Sequence, residues 1–432
     1  CDMMKTAILN ILIGITFLFQ TTCMSAFAQK QSSPNYIKGS FIQPHLFENW
    51  DDARWQKEFS MLQAAGMEFL IFMHTVYTDE EGKIQCVYPS ELPGVEKKEM
   101  DLLEICLRNA KQAGFKIFVG LNFNERWWKL DFTSEWLYGE MNWGNQIAKE
   151  LIQRYKKRYP ETMVGWYWVW EIEPSICKDL NIKNTIIKAM NINLDFLHSE
   201  TPDMPVLFSP FMNCQHGTSD NCAEVWKYIL EEIHLQDGDI FAPQDCIGSG
   251  FLNLSVVEEW YKKIESIIPE SPKIKYWANI EMFDQRFWTA ASLDRIKTQM
   301  DILRPHVSGF ISFAYSHYYS PLLKTPLLHK AYIDYIKTGA FPHSMTPMPV
   351  RGLKQKKNDG GLSVLVWESS DKEMDVVGYR IYKDGILIAD IQYDNKGCCK
   401  REYNVFDSGL YEIVSYDVYG NESARNKIRI DL

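Results

Sequence analysis

The sequence predicts an α/β fold, a (β/α)₈ TIM barrel with a small C-terminal all-β sandwich, and three observations carry that prediction. Between residues 36 and 338, runs of β-branched and aromatic residues alternate eight times with stretches of helical apolar spacing. No Gly-x-Gly-x-x-Gly turn follows the first run, as an open dinucleotide-binding sheet would require. Past a proline-rich stretch at 342–349 the helical spacing ends and short alternating strands take over.

Taken in order, the first strand is expected at 36–43 and the first helix at 50–65, stopped by Gly66. Strand 67–75, helix 96–113 closed by Gly114, strand 115–122, helix 134–159 and strand 164–171 follow. Helix 182–197, strand 206–211, helix 221–234, strand 239–245 and helix 256–267 continue the pattern. Strand 274–281, helix 292–303, strand 309–315 and helix 327–337 complete eight units, which fit a closed parallel barrel better than a doubly wound sheet. C-terminal strands are expected at 362–367, 376–383, 386–392, 411–419 and 427–430, separated by turns such as Lys383-Asp384-Gly385 and Tyr419-Gly420-Asn421. The implied domains are a leader at 1–28, a barrel at 29–341, a linker at 342–349 and a sandwich at 350–432.

The leader is read from Lys5, the apolar run 7–19 and the Ala26-Phe27-Ala28 pattern before Gln29, the layout of a secretory signal peptide. A periplasmic or extracellular location is therefore expected. Release is favoured over lipid anchoring through Cys23, because Thr21-Thr22 does not match the small residues an anchor needs. No later apolar run is long enough to span a bilayer.

At 432 residues and 46% hydrophobic, the chain can bury a large core. The formal charge of −10, with no basic cluster interleaved with aromatics, excludes nucleic acid as the expected partner. Rings are plentiful, with 14 Trp, 22 Tyr and 23 Phe; most must be core, and the rest are available to stack on sugar rings. Beyond Cys1 and Cys23 the cysteines form no C-x-x-C or Cys/His array, so neither a metal nor another cofactor is expected. Cys214 and Cys222 lie close enough in sequence to pair in an oxidising compartment. A monomer is expected.

The stretch Gly165-Trp-Tyr-Trp-Val-Trp-Glu-Ile-Glu-Pro-Ser175 organises the rest. It reads as a buried strand that ends in acid before Pro174. Alternation puts Tyr167, Val169, Glu171 and Glu173 on one side and Trp166, Trp168, Trp170 and Ile172 on the other. Carboxylates among tryptophans are costly to desolvate, and proton transfer or nucleophilic work is the usual reason to keep them there.

Barrel sites are built at the carboxyl ends of the strands, and those ends are polar throughout. They supply Gln43 and His45, then His74, then Asn124 and Glu125 with Trp127 and Trp128 just after. Glu171 and Glu173 follow from strand four, Gln244 and Asp245 from strand six, Asn279 and Glu281 from strand seven, and Tyr315, His317 and Tyr318 from strand eight. Acids on strands four and seven face each other across a barrel mouth, and a pair of acids flanking a glycosidic bond is what displacement at a sugar carbon requires. Gln43, His74, Asn124, Glu125, Gln244, Asp245, Asn279, Tyr315 and His317 are then candidate partners for a carbohydrate substrate, with orienting a catalytic acid the alternative role for Asp245. Trp127, Trp128 and Trp170 are candidate stacking platforms, with packing under the helices the alternative for Trp170.

Acids ending strands four and seven resemble the large clan of retaining (β/α)₈ glycoside hydrolases, where the fourth-strand motif is Asn-Glu-Pro and the seventh-strand Glu is the nucleophile. More closely, Gly39-Ser-Phe-Ile-Gln43, Gly165-Trp-Tyr with Glu171-Ile, Ala242-Pro-Gln-Asp245 with Gly248, Trp277-Ala-Asn-Ile-Glu281 and Phe313 through His317-Tyr318 resemble a family of secreted bacterial barrel proteins with glycosidase-like domains of unknown function. The resemblance spans residues 37–338 and implies a carbohydrate-active barrel with Glu281 as nucleophile. The clan's strand-four motif falls on Ile172-Glu173-Pro174, which implies Glu173 as acid/base, whereas the closer family's pattern falls on Glu171. Glu171 is preferred, because the first of two same-face acids lies nearer the barrel axis, with Glu173 either supporting it from behind or as its substitute. In the C-terminal part, Leu365-Val-Trp367, Gly378 to Gly385 and Tyr411 with Asp417-Val-Tyr-Gly-Asn-Glu-Ser423 resemble a fibronectin type III module, a spacer or docking unit to which no chemistry is assigned.

The expected function is a secreted glycoside hydrolase. A carbohydrate-binding barrel without turnover is the alternative, favoured by Ile172 where the clan has Asn. A metal-dependent hydrolase using His74, Asp245 and His317 is weaker, since no His-x-His pair joins them.

Overall fold

The computed structural model describes residues 36–96, 98–131, 133–177, 179–342, 346–358, 360–369 and 375–432. The leader at 1–28 and Cys23 lie outside the described residues. Each expected β/α unit has a counterpart. These are β1 (Gly39–Ile42), α1 (Asp52–Ala64), β2 (Phe69–Phe72), α2 (Leu102–Ala113), β3 (Lys116–Gly120), α3 (Ser134–Leu151), β4 (Met163–Trp168) and α4 (Leu180–Glu200). They continue as β5 (Val206–Phe208), α5 (Ser219–Glu232), β6 (Ile240–Phe241), α6 (Val257–Glu265), β7 (Lys275–Tyr276 with Ala278–Glu281), α7 (Leu293–Leu303), β8 (Phe310–Phe313) and α8 (Pro326–Thr338).

Local chemistry sets the helix ends. Asp51, Asp101, Thr133, Asp179, Thr218 and Ser292 each accept a hydrogen bond from the backbone N–H three residues on, which satisfies a donor the helix leaves orphaned. Gly114 and Gly339 close α2 and α8 in the left-handed conformation.

The strands pair in parallel, in the order β7-β6-β5-β4-β3-β2-β1-β8-β7. Lys275–Tyr276 pairs with β6 at one end of this sheet and Ala278–Glu281 with β8 at the other, so the seventh strand, broken at Trp277, closes the barrel. Closure is completed by the Trp277 N–H donating to Phe241 O (2.9 Å) and by a bridge between Gln244 and Asn279. The strands are shorter than their sequence patterns, because their carboxyl-end residues leave the ladder to build the mouth. Two such additions were not expected. One is a small sheet of Val76–Thr78, Ile84–Cys86 and Asn122–Asn124, and the other is a hairpin of Phe283–Asp284 with Thr289–Ala290.

The C-terminal part is two antiparallel sheets. One is β9 (Arg351–Lys357), β10 (Ser363–Glu368) and β13 (Glu402–Asn404), and the other is β12 (Ile386–Gln392), β11 (Val376–Lys383), β14 (Gly409–Asp417) and β15 (Asn426–Ile430). Leu365 and Trp367 from the first sheet share one core with Tyr379, Ile381, Ile413 and Ile430 from the second. The sandwich does not stand apart from the barrel. Val377, Tyr416 and Val418 join the barrel's hydrophobic cluster, the Leu293 N–H donates to Val418 O (2.8 Å), and Phe341 packs on Tyr419.

Cys214 is exposed while Cys222 is buried on α5, and both are free thiols, so the pairing that their spacing allowed is not formed. Cys222 belongs to the barrel's hydrophobic cluster.

A Cβ at Gly120 would lie 1.4 Å from Met73 O, in a strand whose ladder to β2 fixes both backbones. Gly120→Ala is expected to destabilise the barrel by more than about 3 kcal/mol. Gly139→Ala, on α3 with nothing within 4 Å of its Cβ, should be neutral or stabilising. Thermal melts of the two variants side by side check the pair.

Candidate active site

The barrel mouth holds a cavity of about 820 Å³, within the usual range for small-molecule sites. Tyr167, Val169 and Glu171 line it in alternation, as expected for β4. Their outward neighbours Trp166 and Trp168 are anchored under the helices, with indole N–H groups donating to Thr201 Oγ1 (2.9 Å) and Asn193 Oδ1 (3.1 Å). Val169 to Glu173 lie past the regular strand, and the Glu171 backbone is fixed by the Trp127 indole, which donates to Glu171 O (2.9 Å). The Glu171 carboxyl takes a hydrogen bond from the Gln244 side chain. Burial outweighs that bond and pushes the acid up to about 7.

Glu173 does not join it, although period-two alternation places both on one side. Pro174 opens a short turn at Pro174–Cys177, and the Glu173 carboxylate folds back to accept from the Ser175 N–H (3.1 Å) and from the Ser175 hydroxyl. The turn takes Glu173 off the strand and into local capping.

Glu281, at the end of β7, lines the cavity and is 2% exposed. Its Oε2 accepts from the Ser249 N–H at 2.6 Å. That approach depends on Gly248, where a Cβ would lie 2.3 Å from Phe283 O and 2.9 Å from Glu281 Cβ. Burial and the neighbouring Asp245 carboxyl raise Glu281, while the Ser249 N–H and the Arg295 guanidinium act against the rise. Asp245 is wholly buried and does not line the cavity, which sets aside the sugar-ligand half of its reading and leaves the half that has it orient an acid. Its Oδ1 accepts from the Ile247 and Glu281 N–H groups (3.2 and 3.3 Å) and its Oδ2 from the Gln299 amide on α7. Arg295, also on α7, donates to Glu281 O (2.9 Å) and Phe283 O. Asp245 thus holds the backbone of Glu281 and adds a like charge behind it.

The structure brings Gln43, His74, Glu125, Trp128, Gln244 and Asn279 to the same cavity. Glu125 accepts from the Tyr77 hydroxyl (2.7 Å), and Asn279 donates to Ser209 Oγ (3.0 Å). His74 is held down to about 4 by burial and by His45, so it meets a ligand as a neutral imidazole. His317 sits just behind, its Nε2 accepting from the Gln43 N–H (3.3 Å), and burial holds it down to about 3.

Four expected ligands are placed elsewhere. Asn124 spends its side chain on Glu140 (2.8 Å) and on the Arg126 N–H (3.0 Å), lining a smaller pocket of about 260 Å³. Trp127 and Trp170 are buried and pack on each other as part of the core. Tyr315 points outward and bonds His329 on α8, since the short helix Tyr315–Tyr318 turns its first residue away from the axis.

Sequence reasoning missed Ser249, Gln285 and Trp288, and left Tyr318 out of the binding set; all four line the cavity. Tyr318 is pushed up to about 12 by burial and by the charge of Glu281. Trp288 is 58% exposed and lies flat against Phe283, with ring centroids 5.7 Å apart and planes 14° apart. The signal was present in the rings Phe283, Phe287 and Trp288, which follow closely on Glu281. Among the described residues no three His, Cys, Asp or Glu side chains gather as a metal site would need, and Asp245 is already committed to α7. No helix among the described residues is long and apolar enough to cross a membrane.

A family model described as Domain of unknown function (DUF4434) matches residues 37–325. No curated protein matches the sequence. A crystal structure of a "putative alpha-L-fucosidase" from Bacteroides thetaiotaomicron VPI-5482 is similar with a TM-score of 0.60 at 19% identity, covering 72% of this chain and 96% of that one. A family 39 glycoside hydrolase from Bacteroides cellulosilyticus WH2 gives a TM-score of 0.44 at 14% identity, covering 86% of this chain and 79% of that one. The first of these shows a shared TIM-barrel fold.

Proposed function

The chain belongs to the DUF4434 family of domains of unknown function, and from that premise we propose that it is a glycoside hydrolase acting on a poly- or oligosaccharide, with Glu171 as acid/base and Glu281 as nucleophile. The observation that carries the reading is that these two carboxyls, from the ends of β4 and β7, line one cavity whose walls combine Phe, Tyr and Trp rings with polar side chains. Glu171 near neutrality can hold a proton for the leaving oxygen. Glu281, with the Ser249 N–H and Arg295 beside it, can carry the negative charge that attacks the sugar carbon. Neutral imidazole at His74 and the amides of Gln43, Gln244 and Asn279 suit sugar hydroxyls, and Trp128 and Trp288 offer ring faces. The scheme uses no cofactor. A screen of 4-methylumbelliferyl glycosides tests it, and sugar binding without release of the fluorophore from any of them would turn the reading into that of a binding barrel.

In the same proposal the protein is secreted, and the C-terminal sandwich is a fibronectin type III-like module. The pairing order of its strands supports the latter. So does the Tyr411 hydroxyl donating to Asp407 O (2.9 Å) at the start of β14, a tyrosine corner.

The pH profile follows from the two acids. The ionised form of Glu281 appears only as pH rises through its raised value, and the proton on Glu171 is lost as pH rises through about 7. Both lie above the ordinary carboxylate range of about 4. kcat/KM should therefore be bell-shaped with its maximum near neutral pH, and an optimum near pH 5 would overturn the assignment. Asp245→Asn removes the like charge beside Glu281, so the ionised nucleophile persists to lower pH and the optimum should move to lower pH.

A further inference from the structure

We propose that the C-terminal sandwich is a working wall of the cavity, and that Gln392 is a positioning residue fixing the hairpin that carries Gln285 and Trp288. The hairpin is two residue pairs long, Phe283 with Ala290 and Asp284 with Thr289, too short to hold its own shape in water. Its tip places Trp288 in the left-handed region (φ 53°), which a bulky residue keeps only when its surroundings enforce it. The barrel holds the hairpin through the Gln285 N–H donating to Gly248 O and the Ala291 N–H donating to Met282 O (both 2.9 Å), and Gln392, on β12 of the sandwich, adds a grip from the other side. Its Oε1 accepts from the Ala290 N–H (2.8 Å) and its Nε2 donates to Ala290 O (2.9 Å). One side-chain amide thus pairs with both backbone groups of a single residue, as a neighbouring strand would.

The clamp is itself held. Gln392 Nε2 also lies 2.9 Å from the Tyr416 hydroxyl, and the Arg380 guanidinium sits 4.1 Å over the Tyr416 ring. On the cavity side, Trp288 stacks on Phe283 and Phe283 on Tyr318 (5.5 Å), a row of rings running from the rim toward Glu281. A second grip acts on the segment after β8. The Thr325 N–H donates to Tyr393 O (3.3 Å) and Asn395 donates to Leu322 O (2.6 Å), a few residues past Tyr318. The sandwich therefore steadies both stretches that form this wall, and Trp288 is the outer platform for the part of the ligand beyond the scissile bond. That last step rests on the glycosidase reading; the clamp does not.

Hydrogen exchange measured by mass spectrometry on the full chain tests the clamp without any substrate. In Gln392→Ala the peptide covering 282–291 should exchange at least about ten times faster, with β1 to β5 unchanged. Gln392→Glu keeps the acceptor for the Ala290 N–H but loses the donor, and should be intermediate. Unchanged exchange at the hairpin in both variants would overturn the proposal. On an aryl glycoside that the wild type hydrolyses, Gln392→Ala should raise KM by about an order of magnitude and leave kcat within about twofold, with Gln392→Glu partly restoring KM. A loosened hairpin with unaltered KM would overturn the role assigned to Trp288, and the exchange rates decide for or against the clamp whether or not a glycoside is turned over.

Discussion

Glu281→Gln is expected to lower kcat on any glycoside the protein hydrolyses by on the order of 10⁴-fold or more while leaving ligand binding intact. The substitution is isosteric, and its amide oxygen can still accept from the Ser249 N–H, so the Gly248–Ser249 turn keeps its shape. What disappears is the anionic oxygen that would attack the sugar carbon. The variant should fold at least as well as the wild type, because a buried carboxyl beside Asp245 is a liability for stability. Residual turnover above about 1% of the wild type would move the nucleophile elsewhere. Kinetics on the best fluorogenic substrate, with binding measured separately by calorimetry, checks both halves.

The second large effect is at Glu171. Glu171→Gln should cost about 10²- to 10⁴-fold on glycosides whose leaving alcohol needs a proton, and far less on a dinitrophenyl glycoside, whose leaving group departs unaided. Glu173→Gln should change neither rate by more than a few-fold, since its carboxylate is spent on Ser175. A reversed pattern, with Glu173 sensitive to the leaving group and Glu171 not, would return the acid/base role to the residue that the Asn-Glu-Pro alignment selects.

These two residues also mark how far the sequence could be read. Period-two alternation carried Glu171 into the cavity because the chain stays extended past Trp168, and failed two residues later because Pro174 opens a turn. The β/α units were legible because β-branched and aromatic runs and capped helices are local signals. Strand ends were not, since where a ladder stops depends on the neighbouring strand. Arg351–Lys357 escaped notice for a different reason. It is an edge strand studded with lysine and lacks apolar alternation. Which tryptophans face a ligand was equally hidden, because Trp127 and Trp170 differ from Trp128 and Trp288 only in what packs over them. Alignment within the fourth strand pointed to two acids, and only the fold of the following turn separates them.

The break at Trp277 gives the barrel a mechanical character. A hoop closed by one strand in two pieces has a clasp, and here the clasp is the seam joining β6 to the second half of β7 through the Gln244–Asn279 bridge. Gln244 and Asp245 stand on one edge of that seam, Asn279 and Glu281 on the other. A ligand that bonded Gln244 and Glu281 together would span that seam and share its load with the Gln244–Asn279 bridge, the two links acting in parallel.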